Sequence, residues 1–298
     1  MKNRVKGALI GLACGDAVGT TLEFESRGSF EPIKDMVGGG PFNLEPGQWT
    51  DDMSMALCLG HSLVHKNGFD PADQMNRYVN WYQLGYMSST GECFDIGITV
   101  STALKNYLET KNPFAGSSDE YSSGNGSIMR LAPIPMFYRN SIEDCIRFAG
   151  ESSRTTHGSA ECIDSCKLFA SLIRAAFEAR SKDQIFELSS YDAYTPKVKG
   201  IAEKRFLEMK YSDLTGSGYV IESLESALWC FKMSESFEES ILMAANIGND
   251  ADTTAAICGQ ISGAYYGEES IPEKWKQKLA MAAEIDTLAE NLFSAGDN

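Results

Sequence analysis

The chain has 298 residues, 43% of them hydrophobic, enough for one large domain or two ordinary ones. Its 26 basic and 41 acidic residues leave a net charge of −15 at pH 7. That balance argues against a nucleic-acid backbone or an anionic membrane as partner, while a small phosphorylated ligand held by backbone N–H groups or cations stays open.

Met1-Lys2-Asn3-Arg4 and the apolar run to Cys14 imitate a signal peptide, but the run ends at Gly15-Asp16 with no Ala-x-Ala site. No stretch approaches the ~20 apolar residues of a membrane span, so a cytoplasmic protein with a buried first helix is expected. The eight cysteines are scattered without a CxxC pair. They read as small buried hydrophobes in a reducing compartment.

Val5 to Val18 reads as a Gly/Ala-rich helix whose small residues let a neighbouring backbone come close. Asp16 then looks like a helix-end acid, and Glu23 like a solvated loop acid. Residues 26–49 carry five glycines and three prolines and read as a long ordered loop, a kind that is more often functional than not. The loop leads into Gln48-Trp49-Thr50-Asp51-Asp52-Met53, which opens a helix over 52–66. Further helices are expected over 70–85, 97–109, 141–151, 159–181, 197–210, 221–233, 236–246, 252–266 and 272–294.

Asp95 precedes the 97–109 helix, where an N-cap role competes with a site role. Ser122-Ser123-Gly124-Asn125-Gly126-Ser127-Ile128-Met129-Arg130 alternates glycine with small polar residues, as a backbone does when it cradles a phosphate. It matches neither GxGxxG nor a Walker motif, and a plain turn is the competing reading. His157 joins two helices. A second glycine loop, Thr215 to Val220, carries Tyr219, which suits either a core position or a stacking platform. Alternating strand patterns are scarce, and no βαβ rhythm or linker appears. The expectation is an all-α, single-domain multi-helix bundle of orthogonal type over residues 1–298.

The second acidic stretch is Asn249-Asp250-Ala251-Asp252-Thr253-Thr254. Like the first, it puts two acids and a Thr at the start of an apolar helical run. Alone, each reads as a set of N-caps. If the two converge, like charges ~4 Å apart cost roughly 4 kcal/mol per pair at an effective dielectric near 20. Helix N-termini return only about 0.3–1 kcal/mol per acid. A cation can offset the rest, and hard oxygen ligands without His or Cys select Mg, Mn or Ca. Six such oxygens plus water suit two metal ions.

The ordered set Gly15-Asp16-Ala17-Val18-Gly19 with Glu23, Thr50-Asp51-Asp52, Phe94-Asp95-Ile96-Gly97, Gly124-Asn125-Gly126-Ser127-Ile128-Met129-Arg130, Thr156-His157, Gly216-Ser217-Gly218-Tyr219-Val220 and Asn249 to Thr254 resembles the ADP-ribosylglycohydrolase family. It is most similar to the bacterial branch typified by the dinitrogenase reductase-activating glycohydrolase. The resemblance spans roughly residues 5–267. It implies an all-α fold with two divalent cations, Mg or Mn, on Thr50, Asp51, Asp52, Asp250, Asp252 and Thr253. It also implies that Gly124, Asn125, Gly126, Ser127 and Met129 hold the ADP-ribose phosphates, with His157 and Tyr219 on the nucleotide side. Asp95 and Glu23 would flank the scissile ribose.

The implied activity is hydrolysis of the N-glycosidic bond of ADP-ribosyl-arginine on a protein. Asp95 would take the water's proton, assisted by Asp51 or Asp252, with Glu23 close by. The expected partners are an ADP-ribosylated protein and ADP-ribose, without nucleic acid or membrane, and the chain itself is expected to be a monomer. Another linkage such as ADP-ribosyl-serine, or a non-catalytic ADP-ribose-binding member, are the rival readings.

Overall fold

The computed structural model describes residues 1–297. Among them, regular structure is helical, with three isolated backbone bridges in place of strands. The helices are α1 (Lys2–Gly19), α2 (Asp51–Lys66), α3 (Pro71–Leu84), α4 (Ile98–Thr110), α5 (Pro133–Phe137), α6 (Ile142–Arg154) and α7 (Ala160–Ala176). They continue as α8 (Lys182–Leu188), α9 (Pro196–Ala202), α10 (Val220–Met233), α11 (Phe237–Ala245), α12 (Ala251–Tyr266), α13 (Glu273–Lys276) and α14 (Ala282–Ala295). This is the all-α bundle that the sequence pattern implies.

The centre of the bundle is the pair α1 and α12. Small residues recur every four positions on both helices and meet in antiparallel order. A Cβ on Gly7 would lie 2.3 Å from the Gly263 carbonyl oxygen, one on Gly11 2.2 Å from that of Gly259, and one on Gly15 2.1 Å from that of Ala255. With Gly19 packed in the same way on Ala251, the two backbones touch along about three turns, a proximity that no larger side chain permits. Every residue of α1 from Val5 to Gly19 is buried.

A helix apolar on all sides belongs in a core. Lys2–Leu22 is in fact long and apolar enough to cross a membrane, contrary to the sequence expectation, but 94% of its 18-residue apolar window is buried inside the fold. A second apolar cluster, including Met55, Tyr78, Trp81 and Leu104, packs α2, α3 and α4 together.

Three expected helices end early, each for a tertiary reason. Arg4 Nη1 donates to the carbonyls of Ala176 and Ala179, which closes α7 before residue 181 and lets Ser181 cap α8. The expected 197–210 helix stops at Ala202. Lys204 takes a left-handed φ of 64°, and the turn at Arg205–Glu208 buries Phe206 beside Phe186. The expected 272–294 helix is split into α13 and α14. Ala280 N–H donates to the Gly47 carbonyl at 2.9 Å and Met281 takes a φ of 53°, so the long loop interrupts it.

Candidate functional site

Backbone contact between α1 and α12 carries Asp16, near the end of α1, to the start of α12. The N-terminus of α2 reaches the same place. Thr50 and Asp250 hold the N-cap positions of α2 and α12, yet neither side chain caps its own helix. Acids from elsewhere do so. Asp16 accepts from Thr50 N–H at 2.8 Å and Met53 N–H at 3.0 Å. Glu23 accepts from Ala251 N–H at 2.9 Å. At the two N-cap residues the N-cap reading is thus corrected: Asp16 and Glu23, from outside the two stretches, cap these helices, although Asp252 Oδ1 also accepts from Thr253 N–H at 2.7 Å.

The carboxylates of the two stretches converge. Thr50 Oγ1 donates within reach of both Asp16 Oδ1 (3.0 Å) and Asp252 Oδ2 (3.2 Å), and Thr253 Oγ1 donates to Asp52 Oδ1 at 3.2 Å. One oxygen each from Glu23, Asp250 and Asp252 lie within 4.8 Å of one another. Asp52 is fully buried and its Oδ2 has no hydrogen-bond partner. A buried carboxylate oxygen without a donor is costly, and a cation supplies what is missing.

The electrostatics agree. Burial, with the charge of Asp252, pushes Asp16 up to about 8, Asp250 to about 7 and Asp95 to about 11. Burial with neighbouring acids also raises Glu23, Asp51 and Asp52 well above the carboxylate range. Like charges this crowded ionise together only beside a counter-charge. All-oxygen donors at two helix N-termini fit a hard divalent cation.

Asp51, Asp250, Asp252 and Thr253 line a cavity of about 730 Å³, together with Glu23 and Asp95. Thr50 and Asp52 are fully buried beneath its floor. The opposite wall is glycine loop. Asn125 N–H donates to the Gly218 carbonyl, and Val220 N–H to that of Ser123, so the two glycine loops clasp each other. Asn125 Nδ2 reaches across to Asp250 Oδ2 at 2.8 Å, tying loop to acids. Gly124, Gly126 and Met129 line the cavity, whereas Ser127 turns inward towards Ser153 and Cys166. Sequence reading assigned Asn125 to ligand alone and missed this bracing role.

His157 packs its ring against Gly124 and Gly126. Burial, helped by Arg130, lowers its pKa to about 3, so the ring is neutral. Arg130 Nη2 donates to Thr156 Oγ1 at 2.6 Å, and that hydroxyl lies 2.9 Å from His157 Nδ1. This network assigns the ring proton to Nε2, on the loop side. Arg130 itself is fully buried, donates to the Gly126 carbonyl at 2.6 Å and stacks 4.7 Å from the Tyr78 ring. Tyr219 stands apart from the acids, in an adjoining cavity of about 760 Å³, where Lys197 donates to its hydroxyl at 2.6 Å. The two cavities share Thr99, Gly124 and Gly218.

The chain is similar to known proteins along its whole length. The ADP-ribosylglycohydrolase family model matches residues 1–298. The ADP-ribosylarginine hydrolase Tri1 of Serratia proteamaculans is 41% identical over 98% of this chain and 79% of its own length. The ADP-ribosyl-[dinitrogen reductase] glycohydrolase of Rhodospirillum rubrum is 28% identical over 95% of this chain and 92% of its own. A solved structure described as an ADP-ribosylglycohydrolase-related protein complex superposes with a TM-score of 0.88 at 39% identity, covering 99% of this chain and 98% of that one. With two acidic helix starts brought together beside a glycine-loop wall, and a family match along its whole length, the chain belongs to the ADP-ribosylglycohydrolase family.

Proposed function

We propose that this chain is a metal-dependent hydrolase that releases ADP-ribose from modified protein arginine. The observation that carries the reading is the convergence of Asp51, Asp52, Asp250, Asp252 and both threonines at one cavity floor, with Glu23 and Asp95 on its wall. The arginine linkage is supported by the 41% identity to a relative described as an ADP-ribosylarginine hydrolase.

Thr50, Asp51, Asp52, Asp250, Asp252 and Thr253 would hold two divalent cations, Mg or Mn. Bound there, the cations would position the ribose hydroxyls and lower the pKa of an attacking water. Glu23 and Asp16 keep both helix starts aimed at that point. Asp95, inside the same cavity, takes the proton of the water as the bond from the ribose carbon to the guanidine nitrogen breaks. The departing guanidine gains a proton, giving arginine and free ADP-ribose. Backbone N–H groups around Gly124 and Gly126, with His157 Nε2–H, hold the diphosphate. The adjoining cavity beside Tyr219 takes the adenosine end. The eight free cysteines support action in a reducing compartment such as the cytoplasm.

The test is release of free ADP-ribose from an arginine-ADP-ribosylated protein, with Mg or Mn and with EDTA. Metal-dependent release is expected. Binding of ADP-ribose without any release would move the chain to another linkage or to a non-catalytic role.

A further inference from the structure

The acid-lined cavity has two ends. One opens to the Tyr219 cavity through Gly124 and Gly218. The other shares Glu23 and Phe24 with a third cavity of about 430 Å³, whose walls also include Thr21, Glu25 and Pro41. If the nucleotide runs towards Tyr219, the leaving group faces this third cavity.

The walls here are unusual. Phe24 is 67% exposed, at a left-handed φ of 64°. A bulky side chain in that conformation is strained, and an exposed aromatic gains little from burial in return. Its ring packs edge-on to Phe42, with centroids 6.3 Å apart, and Phe42 packs on Phe94 at 5.2 Å. The three rings thus bridge two acid–aromatic pairs, Glu23-Phe24 and Phe94-Asp95.

The strain is held in place. Phe24 N–H donates to the Asn249 carbonyl and Asn249 N–H to that of Glu25, both at 2.7 Å, which locks the segment to the second acidic stretch. The loop bearing Phe42 closes on itself through Gly39 and Leu44 and is pinned by Thr21 Oγ1 donating to the Gly38 carbonyl.

We propose that Phe24 and Phe42 are specificity residues that receive the guanidinium of the modified arginine. This rests on the arginine reading above. Ring faces flanked by Glu23, Glu25 and Asp95 suit a planar organic cation: they bind it through cation–π contact without clamping it in a salt bridge that would slow its departure. A neutral serine hydroxyl draws nothing from such walls.

The experiment measures steady-state hydrolysis of an ADP-ribosyl-arginine peptide by wild type, Phe24→Asn, Phe42→Leu and Phe24→Tyr, with inhibition by free ADP-ribose alongside. Cation–π loss should raise KM about 3- to 30-fold in Phe24→Asn and Phe42→Leu, with kcat changing less. Inhibition by ADP-ribose, which lacks the guanidine, should stay put. Phe24→Tyr should recover most of the KM. Asn tolerates the left-handed backbone, so Phe24→Asn should melt no lower than wild type while binding its substrate worse. An unchanged KM in both Phe24→Asn and Phe42→Leu, with wild-type turnover intact, overturns the assignment and leaves the proposed function standing. KM and ADP-ribose inhibition weakening together also overturns it, since the rings would then serve the sugar. Absence of arginine-adduct turnover in wild type overturns the reading beneath it.

Discussion

Replacing Gly15 by alanine tests whether the site depends on backbone contact between α1 and α12. The added methyl carbon would lie 2.1 Å from the Ala255 carbonyl oxygen and 2.6 Å from its carbonyl carbon. Ordinary contact begins near 3.4 Å, so the helices must part locally by about 1.3 Å. Overpacking costs typically 1–3 kcal/mol, and with main chain as the obstacle about 3 kcal/mol is expected. For a chain of this size that lowers Tm by roughly 6–12 °C. Activity should suffer more than stability. Asp16 adjoins the substitution and Asp252 lies one turn from Ala255, and a displacement near 1 Å at a reacting centre costs on the order of 100-fold. Gly200→Ala in α9 is the matched control. Its nearest neighbour is Arg205 Cδ at 3.5 Å, so the same methyl should stabilise by about 0.4–1 kcal/mol. Thermal melting and ADP-ribose release read both variants. A Gly15→Ala protein melting within about 1 °C of wild type, with full turnover, would refute the dependence.

Metal-free protein should lose stability as pH rises. Asp16 and Asp250 titrate near 8 and 7 in the fold against about 3.8 unfolded, so from pH 4 up to about 8 for Asp16 and about 7 for Asp250 the unfolded state ionises first and each group removes up to about 1.4 kcal/mol per pH unit. Mg or Mn should therefore raise Tm more at pH 8 than at pH 5; an equal rise at both would sink this account. Asp52→Asn removes one ionisable carboxyl from the crowded floor. It should melt higher than wild type without metal, gain nothing from metal and release no ADP-ribose, as followed by differential scanning fluorimetry and product assay. Thr156→Val cuts the link from Arg130 to His157 Nδ1 and frees the ring to change tautomer. ADP-ribose affinity, measured calorimetrically, should fall about 5- to 30-fold with the helical circular dichroism intact, and an unaltered affinity would argue against the Nε2–H assignment.

The acidic stretches were legible because Thr-Asp-Asp and Asp-Ala-Asp-Thr at the starts of apolar runs overload a helix N-terminus with negative charge. What each acid does there was not. Asp16 reads as the end of a helix, and only the fold reveals that its carboxylate caps α2 from outside. Glu23 reads as a loop acid for the same reason. The small-residue face of α1 announced a close neighbour, but its partner lies about 240 residues away, beyond the reach of local pattern. The helix ends that failed, after Ala176, Ala202 and Lys276, are set by Arg4, by the Lys204 turn and by Gly47 reaching in. Local propensity carries no record of such distant partners. Phe24 escaped notice because nothing in Glu23-Phe24-Glu25 signals a left-handed backbone at an aromatic.

The seam between α1 and α12 also shapes how the molecule must be made. Joining Gly15 to Ala255 closes a loop of about 240 residues, for which chain entropy alone charges on the order of 5 kcal/mol. At typical synthesis rates of about 5–20 residues per second, α1 leaves the ribosome roughly 12–48 s before its mate. During that interval the small-residue face of α1 waits unpaired, and Glu23 has no helix start to cap. The site is thus completed only once α12, which carries Asp252 and Thr253, has arrived to pair with α1.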